Sequence, residues 1–323
     1  NYINTNRPNM AIDVLEVVQQ IEPDNELLPK VFDLIVAKSG FGEFPDLSEF
    51  GKLWTGQSLT GKSIEVICDQ GMGDIINMLR YLRVLKGRWN CRVILNCYAF
   101  FDELNRLFTE GHAYYVDEFV QYHTRCDFQT NIFSLPAILA GLKLPVYYPA
   151  HFELIMKSGV PGQPEIDVCQ YFSNCREELN TVIAAHRPTV GVAWQSNPDN
   201  ILYEKKSIPL EIVEGLVSDK YDLYSLHPSE CPSFMKKLTL CDLYDTAVAV
   251  DHMDWVVSVD TVVLHLAGTM TTTFGLIPDD CDPRWGTMDT TVWYPLVKLI
   301  RKNNDWSKAI QIVKESIESS VKI

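Results

Sequence analysis

A chain of 323 residues exceeds what one hydrophobic core usually serves, so two domains are expected, and 46% hydrophobic with 22% charged residues is the balance of an ordinary folded protein. A net charge of −14 excludes a binder of nucleic-acid backbones, and no apolar run reaches the roughly 18 residues of a transmembrane segment. The nine cysteines are odd in number, scattered and never spaced C-x-x-C, which excludes a zinc site or disulfide framework; with no signal peptide at the start, a cytoplasmic location is expected.

Residues 1–50 read as a separate helical segment. Met10–Ile21 carries apolar positions at helical spacing, Glu22-Pro-Asp-Asn25 breaks it, and a second helix starts at Leu27. The helix and its turn resemble part of one tetratricopeptide repeat, a unit that must pack on whatever follows.

From Ser63 strands and helices alternate. Ser63–Cys68 predicts a strand, Asp69–Asp74 a turn, and Ile75–Lys86 a helix with an apolar face at Ile75, Met78, Leu79 and Leu82. Cys91–Tyr98 predicts the next strand and Phe100–Phe108 the next helix, and further pieces follow at Ala113–Val120, Cys126–Phe133 and Leu135–Leu142. These make a Rossmann-like N-terminal domain over 51–165. A blurred stretch, 166–187, is the crossing to a second Rossmann-like domain at 188–323. That domain reads as strand Thr189–Trp194, helix Pro209–Val217, strand Tyr221–Leu226 and helix Leu243–His252. A strand from Asp254 runs into a helix, then come strand Thr272–Ile277 and a last helix from Asp305 to about Val321. Two such domains would form a ligand cleft at the carboxyl edges of their sheets.

Chemistry concentrates where these strands end. The β-branched run Val256, Val257, Val259 stops at Asp260-Thr261, a pair able to cap a helix, with His265 four residues beyond Thr261 on the same helical face. A hydroxyl, a histidine and a helix N-terminus at one spot suit a phosphate or diphosphate; an ordinary capped helix with a buried histidine explains them equally. Gly71-Met-Gly-Asp74 is a poor dinucleotide fingerprint, because Ile76 holds the place of a third glycine and Asn96-Cys97 offers no acid for a ribose. Its glycines read better as a tight turn presenting Asp74 at a helix N-terminus, as a general base or as a plain N-cap. Ala193-Trp-Gln-Ser-Asn-Pro198 leads into a polar loop, with Lys205 and Lys206 before the next helix; a lysine there could reach a diphosphate, or be a solvated loop charge, the better reading of Lys205. Asp280-Cys-Asp282 matches a D-x-D metal triplet common by chance, so no metal site is assigned. Arg284-Trp285 and Trp293-Tyr-Pro295 are candidates to line a sugar pocket or to pin the last helix to the core.

The succession of these pieces resembles one family. Trp54-x-Gly-x-x-Leu-x-Gly-Lys62, Gln70-Gly-x-Gly-Asp74 with Arg80-Tyr81, Cys126-Asp-Phe128 and Ser134-Leu-Pro136 come first. Val190-Gly-Val-Ala-Trp194 with Asn197-Pro198, Lys206-Ser-Ile-Pro209, Ser258-Val-Asp-Thr261, His265-Leu-Ala-Gly268 and Trp293-Tyr-Pro295 follow. The chain is thereby similar, over roughly residues 50–320, to the glycosyltransferases attached to tetratricopeptide repeats, relatives of the ADP-heptose:lipopolysaccharide heptosyltransferases. The resemblance implies an α/β GT-B fold, two facing Rossmann-like domains, with a nucleotide-diphosphate sugar as donor and neither metal nor cofactor. It implies Asp74 as base, and Asp260, Thr261 and His265 at the donor diphosphate, with Lys206 at the family's basic position. Gly73, Trp194, Asn197 and His227 stand in the same motifs and complete the expected donor site. The chain departs from the family at Ser225-Leu-His227, where Ser-Leu-Gln is usual, and at Thr271-Thr-Thr273, where a Gly-Lys-Pro-like turn is usual. Both departures are expected to flank the nucleotide pocket.

The expectation is an inverting, metal-independent glycosyltransferase acting on a glycan, lipid-linked or protein acceptor. Its rivals are an inactive nucleotide- or glycan-binding module of the same fold and a nucleotide-sugar 2-epimerase.

Overall fold

The computed structural model describes residues 49–69, 71–109, 115–142, 187–198, 200, 202–291 and 293–321. The helical segment expected before residue 49 and almost all of the crossing at 166–187 lie outside these. The described residues fall into two compact units, one of 49–142 with Asp282–Met288, the other of 187–281 with 289–321.

The first unit is built on five parallel strands: β1 (Lys52–Leu53), β2 (Ser63–Ile67), β3 (Arg92–Asn96), β4 (Glu118–Val120) and β5 (Phe128–Asn131), in the order β1-β5-β2-β3-β4. Central β2 buries Ile64, Val66 and Ile67, as a strand covered on both faces must. Its one acid, Glu65, is fully buried and satisfied: Oε1 accepts from Asn96 Nδ2 at 2.9 Å and from Thr124 N at 3.2 Å. The helices are α1 (Met72–Met78), α2 (Arg80–Trp89), α3 (Phe101–Thr109) and α4 (Leu135–Gly141). One helix was expected over Ile75–Lys86; it begins three residues earlier and is interrupted at Leu79. Arg80 is the cause: its Nε and Nη2 donate to the Asn77 carbonyl and side-chain oxygens at 2.6 and 2.8 Å, competing with the backbone for that carbonyl. α2 ends on Asn90 in the left-handed conformation, φ 47°, whose N–H bonds the Lys86 carbonyl.

The second unit repeats the plan with β6 (Thr189–Ala193), β7 (Asp222–Ser225), β8 (Trp255–Val259), β9 (Thr273–Ile277) and β10 (Val297–Arg301), all parallel, in the order β10-β9-β8-β6-β7. Its helices are α5 (Tyr203–Lys206), α6 (Leu210–Val213), α7 (Leu243–Asp251), α8 (Val262–Ala267) and α9 (Trp306–Ser320). One face of the sheet, through Val190, Val192, Val257, Val259, Phe274 and Leu276, packs with Ala309, Ile310, Val313 and Ile317 of α9. Each such burial contributes roughly 1.5–3 kcal/mol. Asp305 caps α9 by accepting from Ser307 N at 2.9 Å, so the last helix begins where expected. Strand β10 was not expected: it is an edge strand in which exposed Lys298 and the final Arg301 interrupt the apolar run that marks the buried strands.

In both sheets the strand order reverses beside the first long strand, between β2 and β5 in one and between β6 and β8 in the other. Just beyond the carboxyl ends of strands, at such reversals, α/β proteins bind their ligands. No helix among the described residues is long and apolar enough to cross a membrane.

Candidate functional site

In the second unit the reversal gathers most of the expected donor residues. Asp260 follows directly on β8, and Lys206 ends α5, in the connection that leaves β6. Lys206 Nζ lies 2.7 Å from Asp260 Oδ2, with the two side chains only 13% and 6% exposed. His265, on α8, is 4% exposed and places Nε2 3.9 Å from Asp260 Oδ1, beyond hydrogen-bond reach. On its other side Nδ1 lies 2.7 Å from the hydroxyl of Tyr294, which is fully buried. The result is a buried polar row, Lys206, Asp260, His265, Tyr294, at the mouth of the sheet.

Packing explains Tyr294. A Cβ on Gly268 would sit 2.6 Å from Val297 Cγ2 and 2.9 Å from Tyr294 Cγ, so only a bare Cα lets the ring approach α8. Tyr294 of the segment 293–295 therefore acts on His265, a role that sequence spacing could not show across a separation of 29 positions.

Thr261 takes the N-cap position of α8, φ −139° and ψ 176°, yet its side chain makes no capping bond; its Oγ1 lies 3.4 Å from Ser258 Oγ. α8 has only six residues, so its dipole is small and the positive charge here comes from Lys206. Trp194 is 1% exposed within the core, its ring 5.5 Å from that of His227, while Asn197 is exposed in the following loop. His227 Nδ1 accepts from the backbone N–H of Glu230 at 2.8 Å and of Ser229 at 3.3 Å, so the neutral ring carries its proton on Nε2. The threonine turn lies elsewhere. Thr271 Oγ1 donates to the Met253 carbonyl, and both residues precede the strands β9 and β8. That turn is at the amino edge of the sheet and cannot flank a pocket at the carboxyl edge.

In the first unit the glycine turn follows β2 at the other reversal, where Asn131 Nδ2 donates to Asp69 Oδ1 at 3.0 Å. The N-cap of α1 is Gly71, and Gly73 and Asp74 lie within the first helical turn, so Asp74 is not the cap residue. Its carboxylate folds back, with Oδ2 3.3 Å from the point a Cβ on Gly71 would occupy. Asp74 Oδ1 is ion-paired with Arg284, whose loop is part of this unit.

The D-x-D triplet is divided between two cations. Asp280 pairs with Lys205 at 2.7 Å, and that ammonium holds the exposed carboxyl below its usual range. Asp282 pairs with Arg284 at 3.0 Å. Among the described residues no three His, Cys, Asp or Glu side chains form a group able to hold a metal ion.

No family model and no curated protein matches the sequence. Solved structures do. The chain aligns with the E. coli heptosyltransferase WaaC, solved with ADP, at a TM-score of 0.50 and 13% identity, over 80% of this chain and 99% of that one. It aligns with the heptosyltransferase TibC of enterotoxigenic E. coli, solved with ADP-D-β-D-heptose, at a TM-score of 0.51 and 9% identity, over 82% of this chain and 78% of that one. The chain has the fold of these heptosyltransferases. A shared fold fixes where strands present their carboxyl ends; function follows from the side chains placed there.

Proposed function

We propose that the protein is a glycosyltransferase that takes a sugar from a nucleotide-diphosphate donor and transfers it, with inversion and without a metal, to an acceptor hydroxyl. One observation carries the reading: a buried Lys206–Asp260 pair stands beside buried His265 at the strand-order reversal of the second sheet. A buried ion pair is weak as a stabilising device, since apolar residues would do as well or better, so a function at this place accounts for it best. The heptosyltransferases of the same fold were solved with ADP and an ADP-sugar, ligands whose diphosphate would meet such a cation.

In this reading Asp74 takes the proton of the acceptor hydroxyl as its oxygen bonds to the anomeric carbon. The bond from that carbon to the diphosphate oxygen breaks, and its electron pair leaves with the nucleoside diphosphate. Lys206 and His265 stabilise the charge on the departing diphosphate, the task a metal performs in other transferases.

The test is thermal unfolding against a panel of nucleoside diphosphates and their sugars, with and without magnesium. Ligand at 100 times its dissociation constant adds about 2.7 kcal/mol, a shift of several degrees. One nucleotide should raise the midpoint, indifferent to magnesium, and Lys206→Met or His265→Ala should abolish the rise. If no nucleotide raises it, the donor site is wrongly placed.

A further inference from the structure

We propose that Arg284 is the positioning residue of Asp74: it holds one carboxylate oxygen, leaving the other to receive the acceptor proton. The inference rests on the reading of Asp74 as the base.

Arg284 is unusually well fixed for so long a side chain. Its loop begins with Asp282, whose Oδ1 accepts from the Arg284 backbone N–H at 2.9 Å, and turns through the short 3₁₀ segment Pro283–Trp285. Trp285 is 1% exposed and anchors the loop, and Gly286 at φ 53° reverses it in the left-handed conformation that glycine adopts most readily. The guanidinium is then held from two sides. Asp282 faces it through two contacts of 3.0 Å, Oδ1 to Nε and Oδ2 to Nη2, and Asp74 Oδ1 pairs with the same Nη2. Asp282 alone would satisfy the charge of Arg284, so the second contact is free to serve Asp74.

The two oxygens of Asp74 are thereby made unequal. Oδ1 is engaged by a permanent cation, because arginine does not deprotonate in proteins. Oδ2 has no polar partner among the described residues and lies over the bare Cα of Gly71, itself exposed. A proton acceptor needs a lone pair within hydrogen-bond reach of the hydroxyl and a fixed approach, and this arrangement supplies both at Oδ2. The Asp282–Arg284–Asp74 triplet keeps a net charge of −1, as a base must.

The experiment uses the full chain, with ADP-D-β-D-heptose as donor and a panel of methyl glycosides, or water, as acceptor. Arg284→Gln and Arg284→Lys should lower kcat by about tenfold to a hundredfold, a share of what general-base catalysis supplies, while donor KM stays within about twofold. Millimolar guanidinium should restore part of the rate of Arg284→Ala and none of that of Asp74→Asn, a rescue that a merely structural role would not show. Should Arg284→Gln or Arg284→Ala fail to fold, Arg284→Lys, which keeps the charge but not the two-sided fork, carries the test. An active wild type with an undiminished Arg284→Gln overturns this inference alone. An Asp74→Asn variant that releases ADP as fast as the wild type overturns the base reading and this inference together.

Discussion

Asp260→Asn tests the buried pair most directly. The substitution keeps the shape of the side chain and removes the charge that faces Lys206 at 2.7 Å. Breaking a fully buried pair costs about 3–5 kcal/mol, because the remaining charge stays desolvated. Lys206 keeps 13% of its side chain in water, which places the expected loss near the lower end, about 3 kcal/mol. Lys206→Met should cost a similar amount, since among the charged groups of the described residues Asp260 then has only His265 near it, 3.9 Å away. The double variant Lys206→Met/Asp260→Leu should cost less than either single one, as apolar replacement of a buried pair is often neutral or better. Urea unfolding midpoints, read with a common slope, give all three values. Added ADP should stabilise Asp260→Asn more than the wild type, because the diphosphate meets an ammonium already released from its carboxylate. Single variants within about 0.5 kcal/mol of the wild type, with additive effects, would mean a solvent-screened pair and refute the reasoning.

Three further outcomes are expected. Asp74→Asn should lower turnover by two or more orders of magnitude with donor affinity unchanged, on the scale of lost general-base catalysis; transfer at the wild-type rate would exclude Asp74 as base. Gly268→Ala should destabilise by about 1–3 kcal/mol, since its methyl would lie 2.6 Å from Val297 Cγ2, and it should weaken nucleotide binding by displacing Tyr294 from His265. A midpoint equal to that of the wild type would show that the ring packs otherwise. Asp127 accepts from the Ser63 backbone N–H and pairs with Lys62, and these hold its carboxyl below the usual range. Its stabilising effect is therefore complete above the ordinary carboxylate range and fades as pH falls through the lower folded value. The stability gap between wild type and Asp127→Asn should persist from pH 7 to about 5 and close in stronger acid; a gap unchanged down to pH 3 would contradict this.

Much of this molecule was legible along the chain because its signals are local. Apolar β-branched runs such as Val256–Val259 report a strand buried on both faces, whatever the neighbouring strands are. Asp305 ahead of an apolar periodicity reports a helix start, and the ordered motifs from Trp54 to Tyr294 pointed to the fold that the solved heptosyltransferases share. Other features depend on partners that sequence distance hides. The break at Leu79 is made by Arg80 reaching back to Asn77, an effect that apolar periodicity does not record. β10 is a strand because β9 lies beside it to complete its hydrogen bonds.

The side chains of the sites divide in the same way. Asp74, Asp260 and His265 could be named from the sequence because each sits at or near the end of a predicted strand, where a parallel sheet must present ligand-facing groups, and Lys206 because it precedes Ser207-Ile-Pro209 at the basic position of the family the motifs resemble. Tertiary structure alone decided what each of them touches. It brought Tyr294 to His265 through the bare Cα of Gly268, gave Asp74 a cation from residue 284, and sent the threonine turn to the opposite edge of its sheet. The physical reason is one of range. Propensity, caps and hydrophobic period act over a few residues, whereas ion pairs and ring packing act between residues that only strand order makes neighbours.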